Sequence, residues 1–228
     1  MKSNIQEKVN ELQLKASEFL KSSKLSLNSL TIYPKEIEVY YYKDGEFEDN
    51  SVHKNELQKN NQNHLYIHRR GLKRTDSYKR GNYVGIDFVV SNDDSIYYSY
   101  LLRSIVINGQ LVTGPHKVLE YIKETSLLSY SELEDLRITV CPNETHNDVL
   151  FSKRINLGKK VNEEYLNCKL RAVLCDEYYK KNKYPVKEGM IIDFLCNEVH
   201  LQKKTKEQAM EYAKEYLDYI PSAIRGKS

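Results

Sequence analysis

The sequence predicts a mixed α/β (α+β) domain, and two patterns carry that prediction. Apolar residues recur at the three- and four-residue spacing of helices near both ends of the chain, whereas short β-branched and aromatic runs occupy the middle. The 228 residues, 40% of them hydrophobic, suffice to bury a core. No apolar stretch approaches the length of a membrane span, so we expect a soluble protein without a membrane partner.

One helix and a series of strands are predicted in the first half of the chain. The helix covers residues 5–22, where apolar residues recur on one face. Residues 46–63 are polar and aperiodic, which is typical of a long surface loop, and Asp44-Gly45 before them predicts a turn. The predicted strands are 29–33, 37–42, 64–68, 83–91 and 97–107.

The second half mixes helices and strands and then ends in helices. Gly114-Pro115 begins a helix that runs toward residue 126, and a short helix is predicted over 131–135. Thr205 and Gln208 form a capping box before an apolar helical stripe. Further strands are predicted at 137–140, 152–158 and 170–174. These patterns divide the chain into a main domain, 1–175, and a C-terminal helical extension, 176–228, packed on it.

The net charge and the cysteine content exclude few classes of function. The formal net charge of +3 is too small to predict nucleic-acid binding, so the local distribution of charge has to decide. The four cysteines are irregularly spaced without a CxxC pair, and we expect no metal. The N-terminal residues lead into an amphipathic pattern instead of an apolar signal core, which predicts an intracellular protein.

Arg103 is the most informative residue, because it lies inside an apolar strand. Alternation places it on the same face as Leu101 and Ile105, where a guanidinium needs an acidic partner. Glu38 is the best candidate, since it lies in an earlier strand on the same face as Tyr40. Such a pair is either a structural ion pair or part of an active site, and the pattern leaves both open.

A second feature is a cationic loop that follows the strand at 64–68. In a chain that is nearly neutral elsewhere, this concentration is typical of a patch that contacts phosphates, although a solvated loop is the alternative. The six cations are interleaved with glycine and tyrosine: Arg69, Arg70, Lys73, Arg74, Lys79 and Arg80.

Seven short motifs also occur in a distinctive order along residues 12–174. They are Glu38-x-Tyr40, His53, Leu65-Tyr66-Ile67-His68, Leu101-Leu102-Arg103, Gly114-Pro115-x-Lys117-Val118, Arg154-Ile155-Asn156-Leu157-Gly158 and Lys169-Leu170-Arg171. In this order they resemble the alkyladenine (3-methyladenine) DNA glycosylase family, which carries E-x-Y, a loop histidine, LYVY, LLRA, GPxKL, PRIG-like and KPLRF-like segments. The resemblance depends on the shared order and not on any single motif.

The resemblance implies a single domain with a curved antiparallel β-sheet surrounded by helices. It also implies that Glu38 is a general base that, with Arg103, holds the water attacking the anomeric carbon of a flipped nucleotide. A carboxylate suits this role because cleavage of an N-glycosidic bond builds positive charge on the sugar. Since no strand lysine is apparent for a Schiff base, we expect a monofunctional DNA N-glycosylase, a hydrolase without metal or cofactor.

The base pocket implied by the resemblance contains four side chains. Tyr40 matches a stacking tyrosine, and His53 matches a pocket histidine, with His64 as the alternative because the preceding loop is longer here. His68 stands where the family has an opposing tyrosine. Asp87 stands where the family has an asparagine that helps to reject guanine, so the preferred lesion is not implied.

The implied partner is double-stranded DNA containing damaged purines, bound by a monomer in base excision repair. Phosphate contacts are expected from the six loop cations. Arg70 occupies the place before the glycine that matches the family's intercalating residue, and Leu72 is the alternative apolar wedge. In a bacterium the protein would be cytoplasmic and associated with the nucleoid.

Two other functions are compatible with the sequence. The first is a non-catalytic nucleic-acid-binding module that keeps the glycosylase fold and binds DNA without releasing a base. The second is an unrelated α/β protein in which Glu38 and Arg103 form only a structural pair, and which shows no salt-dependent DNA binding.

Overall fold

Two long strands, β2 (Leu30–Lys43) and β6 (Ile96–Ile107), form the centre of the sheet. They pair antiparallel from Ile32 opposite Ile107 to Lys43 opposite Ile96. The computed structural model describes residues 2–81, 84–158, 160–178 and 187–225. Shorter strands extend this pair on both sides into a curved sheet of ten antiparallel strands with helices around it. The prediction of a mixed α/β fold with a curved antiparallel sheet is confirmed.

The other strands extend this central pair outward, directly or through a neighbouring strand. They are β1 (Ser23–Leu27), β3 (Phe47–Glu48), β4 (Leu65–Ile67), β5 (Ile86–Val89), β7 (Gln110–Thr113), β8 (Thr139–Pro142), β9 (Val149–Ser152) and β10 (Arg171–Leu174). β1, β10 and β3 pair with β2, whereas β5 and β7 pair with β6. β4, β8 and β9 lie outermost, beside β5, β1 and β10 respectively.

Helices cover the sheet and extend it at the C-terminal end. They are α1 (Lys2–Ser22), α2 (Pro115–Ser126), α3 (Tyr130–Asp135), α4 (Glu163–Leu166), α5 (Lys187–His200), α6 (Lys206–Leu217) and α7 (Ser222–Arg225). α1 buries Leu12, Ala16 and Leu20 in the main core, as the predicted stripe requires. The capping box begins α6, where the Thr205 hydroxyl accepts from the Gln208 N–H at 3.2 Å. Within the described residues, no helix combines the length and apolarity that crossing a membrane requires.

The last three helices form a second apolar cluster on one part of the sheet. Ile191, Leu195 and Ala213 of this cluster pack with Leu150 of β9 and Val173 of β10. The predicted domain boundary after residue 175 falls just beyond β10. Residues 179–186 of the predicted extension lie outside the described residues, and the division into a domain and an extension stays a prediction.

The predicted strands differ from the structure in several places. The strands at 29–33 and 37–42 are one continuous strand, in which the register shifts on both sides of Glu36. Pro34 is tolerated because a bulge accommodates a residue without an N–H. Residues 153–158 form no strand, since β9 ends at Ser152. Strand β1 was not predicted, because its five residues include two serines and a lysine and give little strand signal.

The prediction of a surface loop at 46–63 is wrong. Phe47, Val52 and Leu57 of this segment are buried, and so are several of its polar residues. The polar groups tolerate burial because they are hydrogen-bonded. Asn55, for example, caps a 3-10 turn (Glu56–Gln58) by accepting from the Leu57 N–H at 3.0 Å. The segment is therefore packed against the rest of the protein and is not an open surface loop.

Candidate active site

One cleft of about 420 Å³ brings together every residue predicted for catalysis and for the base pocket. They are Glu38 and Tyr40 of β2, Asp87 of β5, Arg103 of β6, His68 just after β4, and His53 of the 46–63 segment. Residues 155–158, Lys79 and Lys160 also line the cleft. These side chains, which are distant in sequence, therefore lie together in one cleft.

The Glu38 carboxylate is fully buried in the wall of this cleft and held by three donors. Its Oε1 lies 3.2 Å from Arg103 Nη1 and accepts the Ile155 backbone N–H at 2.8 Å. Its Oε2 accepts the Tyr40 hydroxyl at 3.1 Å. A carboxylate has about four acceptor positions, so the three donors do not use all of those of Glu38.

Arg103 contacts two carboxylates and not only Glu38. Its Nε donates to Glu36 Oε1 at 3.0 Å, and Glu36 also accepts Arg171 Nη2 at 2.6 Å and the Ser104 hydroxyl at 2.8 Å. Burial on its own would lower the pKa of Arg103, but Glu38 and Glu36 outweigh it and the pKa is raised. Arg103 is therefore a fixed cation. Glu36 was not predicted as a partner of Arg103, although its spacing of two residues from Glu38 was a usable signal.

Tyr40 keeps its hydroxyl proton, and its ring packs against the guanidinium of Arg154. Burial, followed by the charge of Glu38, raises the pKa of Tyr40 well above its usual range, so the hydroxyl remains a donor. Arg154 lies over the ring with 5.0 Å between its guanidinium carbon and the ring centroid. Arg154 is in turn fixed by Asp49, at 2.7 Å between Nη1 and Oδ2, and by the Val39 carbonyl at 3.2 Å.

His68 and Asp87 form a histidine–carboxylate pair. His68 Nε2 lies 2.7 Å from Asp87 Oδ1, while Asp87 Oδ2 accepts the Ser99 hydroxyl at 2.7 Å and the Gln58 amide at 3.3 Å. Burial alone would raise the pKa of Asp87, but His68 and these hydrogen bonds outweigh it and the pKa is lowered. Asp87 is therefore a carboxylate whose acceptor positions are largely occupied by the protein.

Of the two candidates for the pocket histidine, His53 and not His64 lines the cleft. Its Nδ1 lies 3.0 Å from the Tyr66 hydroxyl, and its Nε2 lies 2.8 Å from Lys79 Nζ. Burial, helped by His68 and Lys79, lowers the pKa of His53 to about 3, so its ring is neutral at neutral pH. The backbone of His64 instead forms an isolated antiparallel β-bridge with Arg137, and His64 does not line the cleft.

The cationic loop is a hairpin, called here the basic hairpin (residues 68–79), that begins and ends at the cleft. The Lys79 N–H donates to the His68 carbonyl at 3.2 Å, and the Arg70 N–H donates to the Ser77 carbonyl at 3.1 Å. Leu72 is 58% exposed at the distal end. Four of the predicted phosphate-binding cations are exposed on the hairpin or just after it: Arg70, Lys73, Arg74 and Arg80.

The prediction that Arg69 contacts phosphates is wrong. Arg69 is only 4% exposed and pairs with the buried Glu134 of α3, while its Nη2 donates to the Tyr78 hydroxyl at 3.0 Å. Glu134 also accepts the Ile67 N–H at 2.8 Å. A guanidinium buried with its own carboxylate cannot reach DNA, so Arg69 fixes the base of the hairpin. Arg74 also has an acidic neighbour, Asp135, but both are exposed.

Several residues that shape the cleft gave no periodic signal in the sequence. Asp49 and Gln58 lie in the segment predicted as a surface loop, and the Ile155 N–H belongs to a backbone segment predicted as a strand. Only the fold brings them to Arg154, Asp87 and Glu38 respectively. Where the structure describes the chain, no three His, Cys, Asp or Glu side chains converge as metal ligands would.

No family model and no curated protein matches this chain.

Proposed function

We propose that the protein is a DNA glycosylase that hydrolyses the N-glycosidic bond of damaged purines, alkylated or deaminated, in duplex DNA. The observation that carries the proposal is Glu38, a carboxylate fixed by Arg103, Tyr40 and the Ile155 N–H in a cleft beside an exposed cationic hairpin. A merely structural ion pair needs neither the cleft nor the remaining acceptor position. The order of motifs along the chain points to the same activity.

Hydrolysis follows from what Glu38 can do to water and to a sugar. The carboxylate takes a proton from a water molecule as the water attacks C1′, and the bond between C1′ and the base nitrogen breaks with its electrons going to the base. The negative charge of Glu38 also stabilises the positive charge that develops on the sugar. Arg103 acts as a positioning residue, because it fixes the carboxylate without touching the reacting atoms.

The rest of the cleft suits a flipped purine. Tyr40, His53 and His68 offer flat groups against which a base can stack, and the His53 and His68 rings lie 4.6 Å apart between centroids. The neutral His53 does not repel a base that carries positive charge from alkylation. The His68–Asp87 pair offers a polar edge to the base, as readout of a flipped base requires.

The basic hairpin supplies the contact with the duplex. Arg70, Lys73 and Arg80 are exposed on or just after a hairpin whose end residues, His68 and Lys79, line the cleft. They can therefore neutralise phosphates on the strand that carries the flipped nucleotide. Leu72 is the apolar side chain placed to fill the space that the flipped base leaves. This activity belongs to base excision repair by a monomer on DNA, near the nucleoid if the source is bacterial.

The test is release of free base from a duplex that contains a single hypoxanthine or 3-methyladenine. Wild-type protein should release the base, and Glu38→Gln should lower the rate by about 10²–10⁴-fold because the general base is lost. DNA affinity of the same variant should persist, since Glu38 contacts no phosphate. Glu124→Gln, which changes an exposed carboxylate on α2, is the matched control.

Two outcomes would overturn the mechanism. Full activity of Glu38→Gln would show that another group activates water. DNA binding without release of base from any lesion would favour the non-catalytic binding module. Thermal unfolding of each variant, measured in parallel, separates loss of chemistry from loss of fold.

A further inference from the structure

Lys79 places an amine in the same cleft as Glu38. Its Nζ lies 2.8 Å from His53 Nε2, and its side chain is partly buried at the end of the basic hairpin. The acidic group that acts on Lys79 is Asp87, which is already hydrogen-bonded to His68 and Ser99. No ion pair joins Lys79 to a carboxylate among the described residues. Lys79 is therefore less exposed than a side chain that contacts phosphates is expected to be. It also lacks, among the described residues, the carboxylate partner that a structural cation usually has.

The surroundings of Lys79 disfavour its ammonium form relative to a lysine in water. Burial lowers the pKa of Lys79, and the charge of Asp87 opposes this only in part. His53 accepts its hydrogen bond as a neutral ring, so it does not hold the ammonium as a carboxylate would. A desolvated lysine in a hydrophobic or cationic setting is the usual form of an amine nucleophile. The expectation of a monofunctional enzyme rested on the absence of a suitable lysine in a strand, whereas Lys79 reaches the cleft from the end of the hairpin.

We infer that Lys79 is a nucleophile toward the aldehyde of an abasic deoxyribose, so that the cleft also breaks the DNA strand at abasic sites. The substrate class is an abasic nucleotide in DNA, which is the product that base excision leaves in the same cleft. The inference rests on the proposed function in one respect, namely that a nucleotide of DNA enters the cleft. It does not require that the protein removes the base itself.

The steps balance without a cofactor. The amine adds to C1′ of the ring-opened sugar, a proton moves from Nζ to the former carbonyl oxygen through His53, and a second proton from solvent lets that oxygen leave as water. The resulting iminium acidifies C2′, where Glu38 removes a proton. The electron pair then expels the 3′-phosphate from C3′. Water hydrolyses the remaining imine and returns the lysine amine.

The test is reductive trapping on a duplex that already contains an abasic site. Sodium borohydride reduces the imine to a stable amine, so wild-type protein should form a covalent protein–DNA adduct that migrates slowly in a denaturing gel. Lys79→Arg, which keeps the positive charge, should lose the adduct. Lys160→Arg is the matched comparison, because Lys160 lines the same cleft at an exposed position and is the competing amine.

Each result decides the inference. An adduct that is lost in Lys79→Arg and kept in Lys160→Arg supports it, and thermal unfolding of Lys79→Arg shows whether the variant is folded. No adduct with wild-type protein, or an adduct that survives Lys79→Arg, overturns it. Because the substrate needs no base removal, base release without an adduct rejects this inference alone. An adduct without base release rejects only the proposed glycosylase.

Discussion

The Arg103 guanidinium lies 3.2 Å from Glu38 Oε1 through Nη1 and 3.0 Å from Glu36 Oε1 through Nε. This geometry makes Arg103 a bridge between two carboxylates and fixes the rotamer of Glu38 relative to the cleft. A buried pair is weak support for stability, because removing two charges from water costs about as much as their attraction returns. The pair is better explained by the position that it gives Glu38.

Arg103 variants test that explanation. Arg103→Lys keeps a cation but cannot reach both carboxylates with a planar fork, so we expect base release about 10²-fold slower from the misplacement of Glu38. Arg103→Ala should be slower still and also less stable, since it leaves a buried carboxylate uncompensated. Single-turnover rates and DNA affinity, measured separately, should show that the loss lies in the chemical step. Equal rates for Arg103→Ala and wild type would contradict a positioning role.

Arg69 is expected to matter for folding and not for DNA binding. Arg69→Ala breaks a buried ion pair with Glu134 and should lower the free energy of unfolding by about 3–5 kcal/mol. Urea unfolding at neutral pH measures this change. The dependence of DNA affinity on salt concentration should be unchanged where the variant is folded, because Arg69 reaches no phosphate.

The neighbouring exposed cation should behave in the opposite way. Arg70→Ala changes an exposed side chain, so stability should stay within about 0.5 kcal/mol of wild type. The slope of log affinity against log salt concentration should fall by about 0.9, the value for one lost phosphate contact. Fluorescence anisotropy with labelled duplex over a series of salt concentrations gives this slope. Exchanged phenotypes for these adjacent arginines would contradict the hairpin geometry.

His53 should make stability depend on pH in the acidic range. Its pKa is about 3 in the folded protein and 6.5 as a free side chain, so the unfolded state binds the extra proton between these values. Stability is therefore retained above pH 6.5 and lost as the pH falls toward 3, by at most about 1.4 kcal/mol per pH unit. His53→Asn should flatten that slope in urea unfolding at pH 7, 6, 5 and 4. Identical slopes in variant and wild type would contradict a buried neutral ring.

Local patterns identified the parts of the fold that local interactions determine. Helix α1, the Arg103 strand and the capped helix α6 follow from periodicity and capping, and the Glu38–Arg103 pair follows from the need to neutralise a cation in a strand. The burial of Arg69 and of residues 46–63 did not follow, because it depends on Glu134 and on other distant partners. Contacts between residues far apart in sequence produce no periodic pattern in the sequence, so local patterns do not predict them.

Leu72 provides a test of how the proposed glycosylase would open a duplex. It is 58% exposed at the distal end of the basic hairpin, where burial against base pairs would gain about 1.5–3 kcal/mol. Leu72→Ala should therefore slow base flipping and base release by roughly tenfold or more, since each 1.4 kcal/mol is a factor of ten. The stability of the variant should be nearly unchanged, because most of the Leu72 side chain is already exposed in the free protein.

The control is Leu201→Ala, which shortens a leucine of similar exposure, 51%, in the segment after α5. Fluorescence of 2-aminopurine placed next to the lesion reports unstacking directly and separates flipping from the chemical step. A slower fluorescence rise for Leu72→Ala alone assigns the wedge to Leu72. Equal rises for both variants and wild type would move the wedge to Arg70, the other exposed side chain that flanks Gly71. A guanidinium there would stack on a base pair through its flat face, so Arg70→Lys should then slow flipping while keeping the charge.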